Sequence, residues 1–238
     1  MKKVILQIVF IFKSLRFLYA LKYLLVRMGM KLLRLKMNTY FSQTAEDVIL
    51  EEYLPKKSDG FYVDVGCNDP YYLSNTFKLY LKGWSGITID ANRELIEKFK
   101  YSRKRDIPVC AAVSNEIKEV RFYNFKQDHY NTIEENKFEE VKKDLEFRNI
   151  SIMQTRTLND ILNEHVDRGT EIDLLTIDVE GHDFYVLKSI SLKIYSPKII
   201  VIEIHQLNLN NIFENEIVNY LKEYNYKLIG YSTINAFF

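Results

Sequence analysis

Cysteine is scarce in this sequence, which contains only Cys67 and Cys110 in 238 residues. Two cysteines are too few for the set of disulfides that stabilises small secreted domains. No cleavable secretory signal is recognisable at the N-terminus either. The sequence therefore predicts a protein that works in the reducing environment of the cytoplasm.

Glycine is also infrequent, with eight residues, and two glycine-rich motifs are missing. One is G-x-G-x-x-G, which lets a backbone approach the pyrophosphate of a dinucleotide. The other is G-x-x-x-x-G-K-[ST], which surrounds the phosphates of a nucleoside triphosphate. Their absence disfavours a dinucleotide enzyme and a phosphate-loop enzyme.

Acidic residues are missing from the first 45 positions, which contain nine Lys or Arg. Removing these nine from the total of 33 leaves 24 basic against 32 acidic side chains in the remainder, a formal charge of −8. The net charge of +1 thus hides a basic N-terminal segment and an acidic domain. We place the boundary between residues 1–38 and residues 39–238.

The basic segment predicts a long helix over residues 3–36, which lack proline and contain only Gly29. At about 100° per residue, six cations fall within an arc of roughly 60°. They are Lys2, Lys13, Arg16, Arg27, Lys31 and Arg34, whereas Lys3, Lys22 and Lys36 lie outside it. The segment therefore predicts a basic amphipathic helix.

A bilayer span needs about 20 mostly apolar residues, but the longest charge-free run here is residues 4–12. We therefore expect the helix to lie on an anionic membrane surface rather than to cross it. The alternatives are that its apolar face packs on the domain or on a second copy in a homodimer. Nucleic acid is not an expected partner.

From residue 44 onwards helical and strand-like patterns alternate, which predicts an α/β fold. Strands are predicted over residues 61–65, 85–90, 107–113, 120–125, 172–178, 198–205 and 226–231. Helices are predicted over residues 44–54, 72–81, 93–101, 134–147, 157–165, 183–190 and 213–224. Right-handed crossovers between such strands give a doubly wound, mostly parallel sheet.

In a doubly wound sheet the ligand site lies at the carboxyl ends of the strands, where the winding direction reverses. Asp64 and Gly66 end the first strand and Asn68 shapes the turn after it. Asp90 ends the second strand, where a carboxylate can accept hydrogen bonds from both hydroxyls of a ribose. The alternative for Asp90 and for Asn92 is a role in capping the following helix.

The segment Asp178-Val179-Glu180-Gly181-His182 is a second concentration of polar groups after an apolar strand. Alternation along an extended chain predicts that Asp178 and Glu180 share one side. One could then bind a cation or position the other, which accepts a proton from a substrate hydroxyl. The alternative is that these acids cap a helix that begins near Gly181.

Glu203 and His205 end the next strand, again with both side chains on one side. Together with Asp178 they predict a site for a divalent cation such as Mg²⁺, with oxygen and nitrogen ligands. A buried hydrogen-bond network that needs no metal is an equal alternative.

Six short fragments, in order and spacing, resemble the FkbM-type methyltransferases. They are residues 41–47 (FSQTAED), 62–66 (YVDVG), 74–76 (SNT), 83–87 (GWSGI), 112–114 (AVS) and 178–181 (DVEG). The resemblance covers about residues 41–231. It implies a Rossmann-like methyltransferase sheet and transfer of a methyl group from S-adenosylmethionine to an oxygen, in many members that of a sugar or glycoconjugate.

The resemblance also implies positions for the cofactor. Asp64 and Gly66 would approach its methionine part and Asp90 its ribose. Val113 and Ser114 would approach the adenine. Asn68 and Asn92 belong to the same turns, and Gln43 and Glu46 would close over the site.

For catalysis we expect Glu180 or His182 to be the base and Asp178 to orient that base or to bind a metal. A surface polysaccharide or a lipid-linked precursor is the expected acceptor. Rival hypotheses are a catalytically silent, membrane-associated binding or scaffold domain, and a nucleotide-sugar enzyme. Because the chain stops at Phe238, the last antiparallel strand of the fold should be very short or missing.

Overall fold

The computed structural model describes residues 8, 11–12, 15, 17–33, 39–167 and 169–238. Helix α1, Phe17–Leu32, falls within the helix predicted over residues 3–36. Of the cations in the predicted basic arc, Arg27 and Lys31 are described, and the other four lie outside the described residues.

Ten strands form two sheets in the part of the chain that the structure describes. They are β1 Phe61–Val65, β2 Ser85–Asp90, β3 Ile107–Cys110, β4 Ala112–Val113, β5 Glu119–Phe125, β6 Phe147–Arg156, β7 Leu174–Ile177, β8 Ile199–Glu203, β9 Gly230–Ser232 and β10 Asn235–Phe237. The main sheet has the order β3-β2-β1-β7-β8-β10-β9. Strands β3, β2, β1, β7 and β8 are parallel, and β10 is antiparallel to both neighbours.

The chain winds from β1 outwards to β3 and then returns to the opposite side of β1 as β7. This reversal confirms the doubly wound, Rossmann-like α/β fold. The central strands are apolar because they are covered on both faces, and all four residues of β7 are buried. The reversal between β1 and β7 is where a ligand cleft is expected in such a sheet.

Eight helices follow α1 in the described residues. They are α2 Glu46–Tyr53, α3 Phe77–Leu81, α4 Arg93–Ser102, α5 Glu135–Val141, α6 Leu158–His165, α7 Asp183–Lys188, α8 Leu192–Tyr195 and α9 Glu216–Glu223. Asn92, Thr157 and Asn215 cap α4, α6 and α9 by accepting hydrogen bonds from backbone N–H groups of the first turn. Short 3₁₀ turns cover Asp128–Tyr130 and Ile212–Glu214.

The helix predicted over residues 134–147 is wrong in its second half. Helix α5 ends at Val141, and Phe147 begins β6, which pairs antiparallel with β5 along its length. The apolar residues of β6 are few, do not alternate regularly and are largely exposed, so they give a weak strand signal beside a strongly helical Glu- and Lys-rich stretch. Pairing with β5 decides the conformation.

The strand predicted over residues 107–113 is divided. Its first part, β3, pairs with β2 in the main sheet, whereas β4 pairs with β6 in a second sheet of order β4-β6-β5. Ala111 lies between the two parts, and its N–H still bonds to the carbonyl of Asp90. The second sheet is therefore joined directly to the carboxyl end of β3.

The helix predicted over residues 72–81 begins only at Phe77. The Asp69 carboxylate accepts the N–H groups of Tyr71 and Tyr72, and Leu73 has a left-handed φ of 51°. These contacts hold a non-helical turn. At the other end of the chain the final antiparallel strand is present as β10, with three residues, which agrees with the expected very short strand.

Helix α1 packs on the domain through one face. Ala20 is fully buried, and the Tyr19 ring stacks on Tyr71 at a centroid distance of 4.3 Å and contacts the edge of Phe77. This is the predicted alternative in which apolar residues of the helix cover the domain. Within the described part of the chain, no helix combines the length and the hydropathy needed to cross a bilayer.

Candidate functional site

One cavity lies at the carboxyl ends of β1, β2 and β7, where the strand order reverses. Eight residues predicted for the site line it: Gln43, Gly66, Asn68, Asp90, Val113, Asp178, Glu180 and His182. They come from segments far apart in the chain. The structure therefore brings most of the predicted site together.

Gly66 lies where the end of β1 comes closest to residues 178–183, which are called the acidic turn below. Its φ of +81° lies in the left-handed region, and a Cβ built there would lie 1.7 Å from the carbonyl oxygen of Asp178. No residue with a side chain fits this position without movement of the backbone. The absent side chain leaves the cavity open beside the end of β1.

Asp90 is held in place by backbone donors. Its Oδ2 accepts the N–H of Asn68 at 3.0 Å, and its Oδ1 accepts the N–H of Asn92 at 2.7 Å. Burial raises the pKa of Asp90 to about 6, although the two N–H groups favour the ionised form. Each oxygen keeps a further lone pair, so the carboxylate can also accept hydrogen bonds from two ligand hydroxyls.

Four predicted cofactor residues do not line the cavity: Asp64, Asn92, Ser114 and Glu46. Asp64 is buried and accepts the Thr76 hydroxyl at 2.5 Å. Asn92 is the N-cap of α4, which is the alternative that its position left open. Both side chains thus support the turns that carry Gly66 and Asp90.

Glu46 is fully buried beneath the Gln43 loop. It accepts hydrogen bonds from the N–H and hydroxyl of Thr44 and, at 2.9 Å, from the Asn235 side chain of β10. Gln43 does line the cavity. Of the two residues predicted to close over the site, Gln43 is at the cavity and Glu46 fixes its loop.

Arg103 is a buried support that the sequence did not reveal. Its guanidinium donates to the carbonyl of Pro70 and to the hydroxyls of Thr76 and Ser74 at 2.7 to 2.8 Å, and lies 3.5 Å from Asp106. Through Thr76 it reaches Asp64. In the sequence it stands in the run Arg103-Lys104-Arg105, which resembles a solvated surface.

His182 is buried between two side chains. Its Nδ1 lies 2.5 Å from Glu134 Oε1 and its Nε2 lies 2.9 Å from the Ser114 hydroxyl. A carboxylate can only accept, so Nδ1 carries the proton and Nε2 accepts from Ser114. Burial lowers the pKa of His182, and Glu134 partly offsets this.

Both nitrogens of His182 are therefore engaged, and no lone pair remains for a substrate proton. The predicted role of His182 as a base is not supported by this arrangement. Ser114 likewise faces His182 and is fully buried, rather than lying against the cavity beside Val113. His182 thus links Ser114, directly after β4, to Glu134, directly before helix α5.

Asp178, Glu180 and Glu203 place carboxylate oxygens within 4.8 Å of one another. The predicted proximity of Asp178 and Glu180 is correct, but the reason is different. Glu180 has a left-handed φ of 54°, so the segment turns instead of extending. Asp183 holds this turn by accepting the N–H groups of Val179 and Gly181 at 3.0 and 3.1 Å.

Asp183 thus accepts the backbone hydrogen bonds of this turn, which is the role predicted as the alternative for Asp178 and Glu180. The carboxylates of Asp178 and Glu180 are therefore not used for capping. Burial, followed by repulsion from neighbouring acids, raises the pKa of Asp178 well above its usual value and that of Glu203 to about 10. Burial raises the pKa of Glu180 to about 7, and Lys137 opposes the shift.

The predicted cation ligands need a correction. Among the described residues, the acidic group consists of Asp178, Glu180 and Glu203, and His205 is not a member. The imidazole of His205 lies 3.1 Å from Glu203 Oε1 and is half exposed, on the outer side of that carboxylate. Glu180 is the third member instead of His205, because the turn at Glu180 and Gly181 places the Glu180 carboxylate near those of Asp178 and Glu203.

Residues 128–137 form a segment that covers the cavity and is called the roof below. Thr132 donates its hydroxyl to the carbonyl of Glu180 at 3.0 Å, and Lys137 Nζ lies 3.7 Å from the Glu180 carboxylate. Asp128, at the other end of the segment, accepts from Asn92 at 3.2 Å. This segment, from a loop whose shape the sequence did not predict, contacts both sides of the cavity.

Residues 64–228 match the model of the methyltransferase FkbM domain. No curated protein and no solved structure gave a significant match. The matched range contains Gly66, Asp90 and the acidic turn, together with most of the main sheet.

Proposed function

The chain belongs to the FkbM methyltransferase family, and we propose that it transfers a methyl group from S-adenosylmethionine to a sugar hydroxyl of a glycan or glycoconjugate. One observation carries the proposal. A single cavity has a ribose-type carboxylate, Asp90, on one side and an acid with a pKa near 7, Glu180, on the other. Bound S-adenosylmethionine supplies an electrophilic methyl group on a sulfonium.

The residues of the cofactor half fit this ligand. Gly66 leaves room for an aliphatic chain, and Asp90 can accept the ribose hydroxyls. Beside them the wall is apolar, formed by Ile89, the alanines at 111 and 112, Val113 and Phe122. Such a wall suits the flat face of adenine.

Asn131 adds a hydrogen-bond donor to the cavity wall. Its Oδ1 accepts the N–H of Phe125 at 2.8 Å, which fixes the amide. Its buried Nδ2 has no partner among the described residues. A buried donor without a partner is costly, so a ligand oxygen or ring nitrogen at this place would be stabilising.

Glu180 is the base in this proposal. It is part-buried, lines the cavity, and its pKa of about 7 is close to the pH at which a general base works best. Its carboxylate would take the proton of the acceptor hydroxyl as that oxygen forms a bond to the methyl carbon. The bond between that carbon and sulfur would break, with its electron pair staying on the sulfur. Asp178 and the Lys137 contact position the Glu180 carboxylate.

Paired variants test both halves. We expect Asp90→Ala to lose binding of S-adenosylhomocysteine in calorimetry. We expect Glu180→Gln to keep that binding and to lose turnover by about 10²- to 10⁴-fold. Glu140→Gln, which changes an exposed acid of helix α5, is the matched control. Turnover retained in Glu180→Gln would remove this residue from the mechanism, and absent cofactor binding in the unmodified protein would favour a silent scaffold.

The acceptor is tested by offering lipid-linked sugars and free glycans side by side. The expected preference for a lipid-linked precursor follows from the surface of α1. Seven large apolar side chains of α1 are exposed, and all except Val26 fall within about 100° of the helical wheel: Phe17, Leu18, Leu21, Leu25, Met28 and Leu32. Lys22 and Lys31 each lie about 40° beyond one edge of this arc.

An apolar stripe with a cation on either side suits the interface of an anionic bilayer, because the apolar side chains enter the acyl boundary while the cations meet the headgroups. We therefore place the enzyme peripherally on the inner face of the cytoplasmic membrane. The absence of acidic residues before Glu46 is consistent with this partner.

Vesicle flotation of the full chain tests this placement. Binding is expected for vesicles with anionic lipid and should fall with added salt and in the double variant Leu21→Asp, Leu25→Asp. Leu209→Asp changes a leucine outside α1 that is more exposed than either of these, and it should bind as the unmodified chain does. Equal binding by all three proteins contradicts the proposal, as does a stable dimer that the double variant abolishes.

A further inference from the structure

Glu203 is a buried acid whose second oxygen is unaccounted for. Only 4% of the residue is exposed. His205 stands 3.1 Å from its Oε1, but its Oε2 has no hydrogen-bond partner among the described residues. Leaving a buried carboxylate oxygen without a partner costs free energy, and in native proteins such an atom often marks an absent water or ion.

The surroundings of the Glu203 carboxylate are rich in acceptors. Asp178 and Glu180 place their carboxylate oxygens within 4.8 Å of that of Glu203. Asn235 pairs with Glu203 across β10 and β8, donates its amide N–H to Glu46, and is left with a buried Oδ1 that also lacks a partner in the described chain. What is missing at this place is positive charge, which protons supply while the pKa values of Asp178 and Glu203 are raised and which a cation can replace.

The lysine that is present does not supply it fully. Lys137 Nζ lies 3.7 Å from the Glu180 carboxylate, at the roof of the cavity, and contributes one positive charge. The acidic group contains three carboxylates, so this single positive charge does not balance it. Hydrogen-bond donors from the protein satisfy the acids of the neighbouring turns, Asp90 and Asp183, but not Glu203 Oε2.

We propose that Asp178, Glu180 and Glu203 bind a divalent cation, Mg²⁺ or Mn²⁺, each through one carboxylate oxygen. Ligands on opposite sides of such an ion lie about 4.2 Å apart, twice the usual metal–oxygen distance of about 2.1 Å, which the observed spacing accommodates. An all-oxygen, carboxylate-rich set is what these hard cations prefer.

Three protein ligands leave about three of six octahedral positions for water or for ligand oxygens. This deepens the proposed function and rests on it in one respect, namely that the acceptor sugar binds at this end of the cavity. Neighbouring hydroxyls of that sugar occupy the open positions, where the cation lowers the pKa of the hydroxyl that gives its proton to the second oxygen of Glu180. The cation thereby selects polyhydroxylated acceptors over simple alcohols.

Cation binding is tested on the full chain without any acceptor. After treatment with a chelator and its removal, Mn²⁺ is added and free Mn²⁺ is followed by electron paramagnetic resonance. We expect one saturable site, whose affinity falls at least about tenfold in Glu203→Gln and in Asp178→Asn. Glu140→Gln removes a nearby exposed carboxylate that is not in the cluster, and it should bind as the unmodified protein does.

The absence of a saturable site, or equal affinity in Glu203→Gln and the unmodified protein, overturns the proposal. Circular dichroism identifies a variant that fails to fold, in which case Glu180→Gln provides the comparison. Failure of the function is distinguishable from failure of the site. Methyl transfer that persists in excess chelator rejects the cation alone, whereas Mn²⁺ binding without S-adenosylhomocysteine binding rejects the methyltransferase proposal alone.

Discussion

The two groups of strand ends at the cavity, β1 with β2 and β7 with β8, hold their carboxylates in opposite environments. In the half formed by β1 and β2, Asp90 accepts two backbone N–H groups and Asp64 accepts a hydroxyl. In the half formed by β7 and β8, three acids face one another, and one buried oxygen has no partner in the described chain. The first half is organised before any ligand arrives, and the second needs a positive charge to be complete.

The organised half depends on a buried cation, and its removal should have the largest effect. Arg103→Met leaves Asp106 without its charged neighbour and the carbonyl of Pro70 without a donor. We expect a loss of about 3–5 kcal/mol in the free energy of unfolding, measured in urea, because an uncompensated buried charge remains.

Lys104→Met is the control, since Lys104 is exposed and adjacent in the chain. It should stay within about 0.5 kcal/mol of the unmodified protein. Similar stabilities for the two variants would show that Arg103 does not hold the first turn, and the contrast between the halves would lose its physical basis.

Gly66 joins the two halves, and Gly66→Ala should have the next largest effect. The added methyl group meets the Asp178 carbonyl and the residue must keep a left-handed φ. We expect a loss of about 2–4 kcal/mol from overpacking and backbone strain, with weaker binding of S-adenosylhomocysteine in calorimetry.

Gly181→Ala separates strain from crowding. Gly181 has a φ of +98°, but a Cβ there meets nothing closer than 3.9 Å. It should lose only about 1 kcal/mol. A loss as large as that of Gly66→Ala would mean that the close approach of β1 and β7 is unimportant.

The smallest expected effect is a pH dependence that the organised half contributes. Burial raises the pKa of Asp64 from 3.8 to about 6 in the folded protein. Between these values the folded state holds a proton that the unfolded state has lost, so this group makes the protein more stable as the pH falls from 7 to 5. Comparison of urea unfolding at the two pH values should show a gain of about 1 kcal/mol from this group, which Asp64→Asn removes.

Asp173 is the matched control at the other end of the sheet. Its burial is outweighed by hydrogen bonds from Lys57 and a backbone N–H, so its pKa is lowered below 3.8. The stability that Asp173 contributes is lost only as the pH falls from 3.8 through its lowered pKa in the folded protein. Asp173→Asn should therefore leave the change in stability between pH 7 and pH 5 unaltered. An unchanged pH dependence in Asp64→Asn would show that Asp64 does not titrate in this range.

The position of the site could be predicted from the sequence because apolar strands are visible as runs. Asp90 and Asp178 follow such runs directly, and the rule for doubly wound sheets brings strand ends together. That rule was sufficient to place Gly66 and the acidic turn at the same edge of the sheet. No contact between side chains was needed for that step.

The residues that were missed or given another role depend on contacts between distant segments. Arg103 is buried because Ser74 and Thr76, far from it in the chain, accept its hydrogen bonds. His182 has the residue type of a base, but Glu134 and Ser114 occupy both of its nitrogens. Strand β6 was missed because its partner β5, rather than its own composition, holds it extended.

The roof formed by residues 128–137 contacts Asn92 on one side of the cavity and Glu180 on the other. A ligand that draws this segment towards one side therefore changes the surroundings of the other. We expect the affinities for cofactor and acceptor to be thermodynamically coupled, and such coupling is reciprocal. The factor by which S-adenosylhomocysteine changes acceptor affinity should then equal the factor by which the acceptor changes that of S-adenosylhomocysteine.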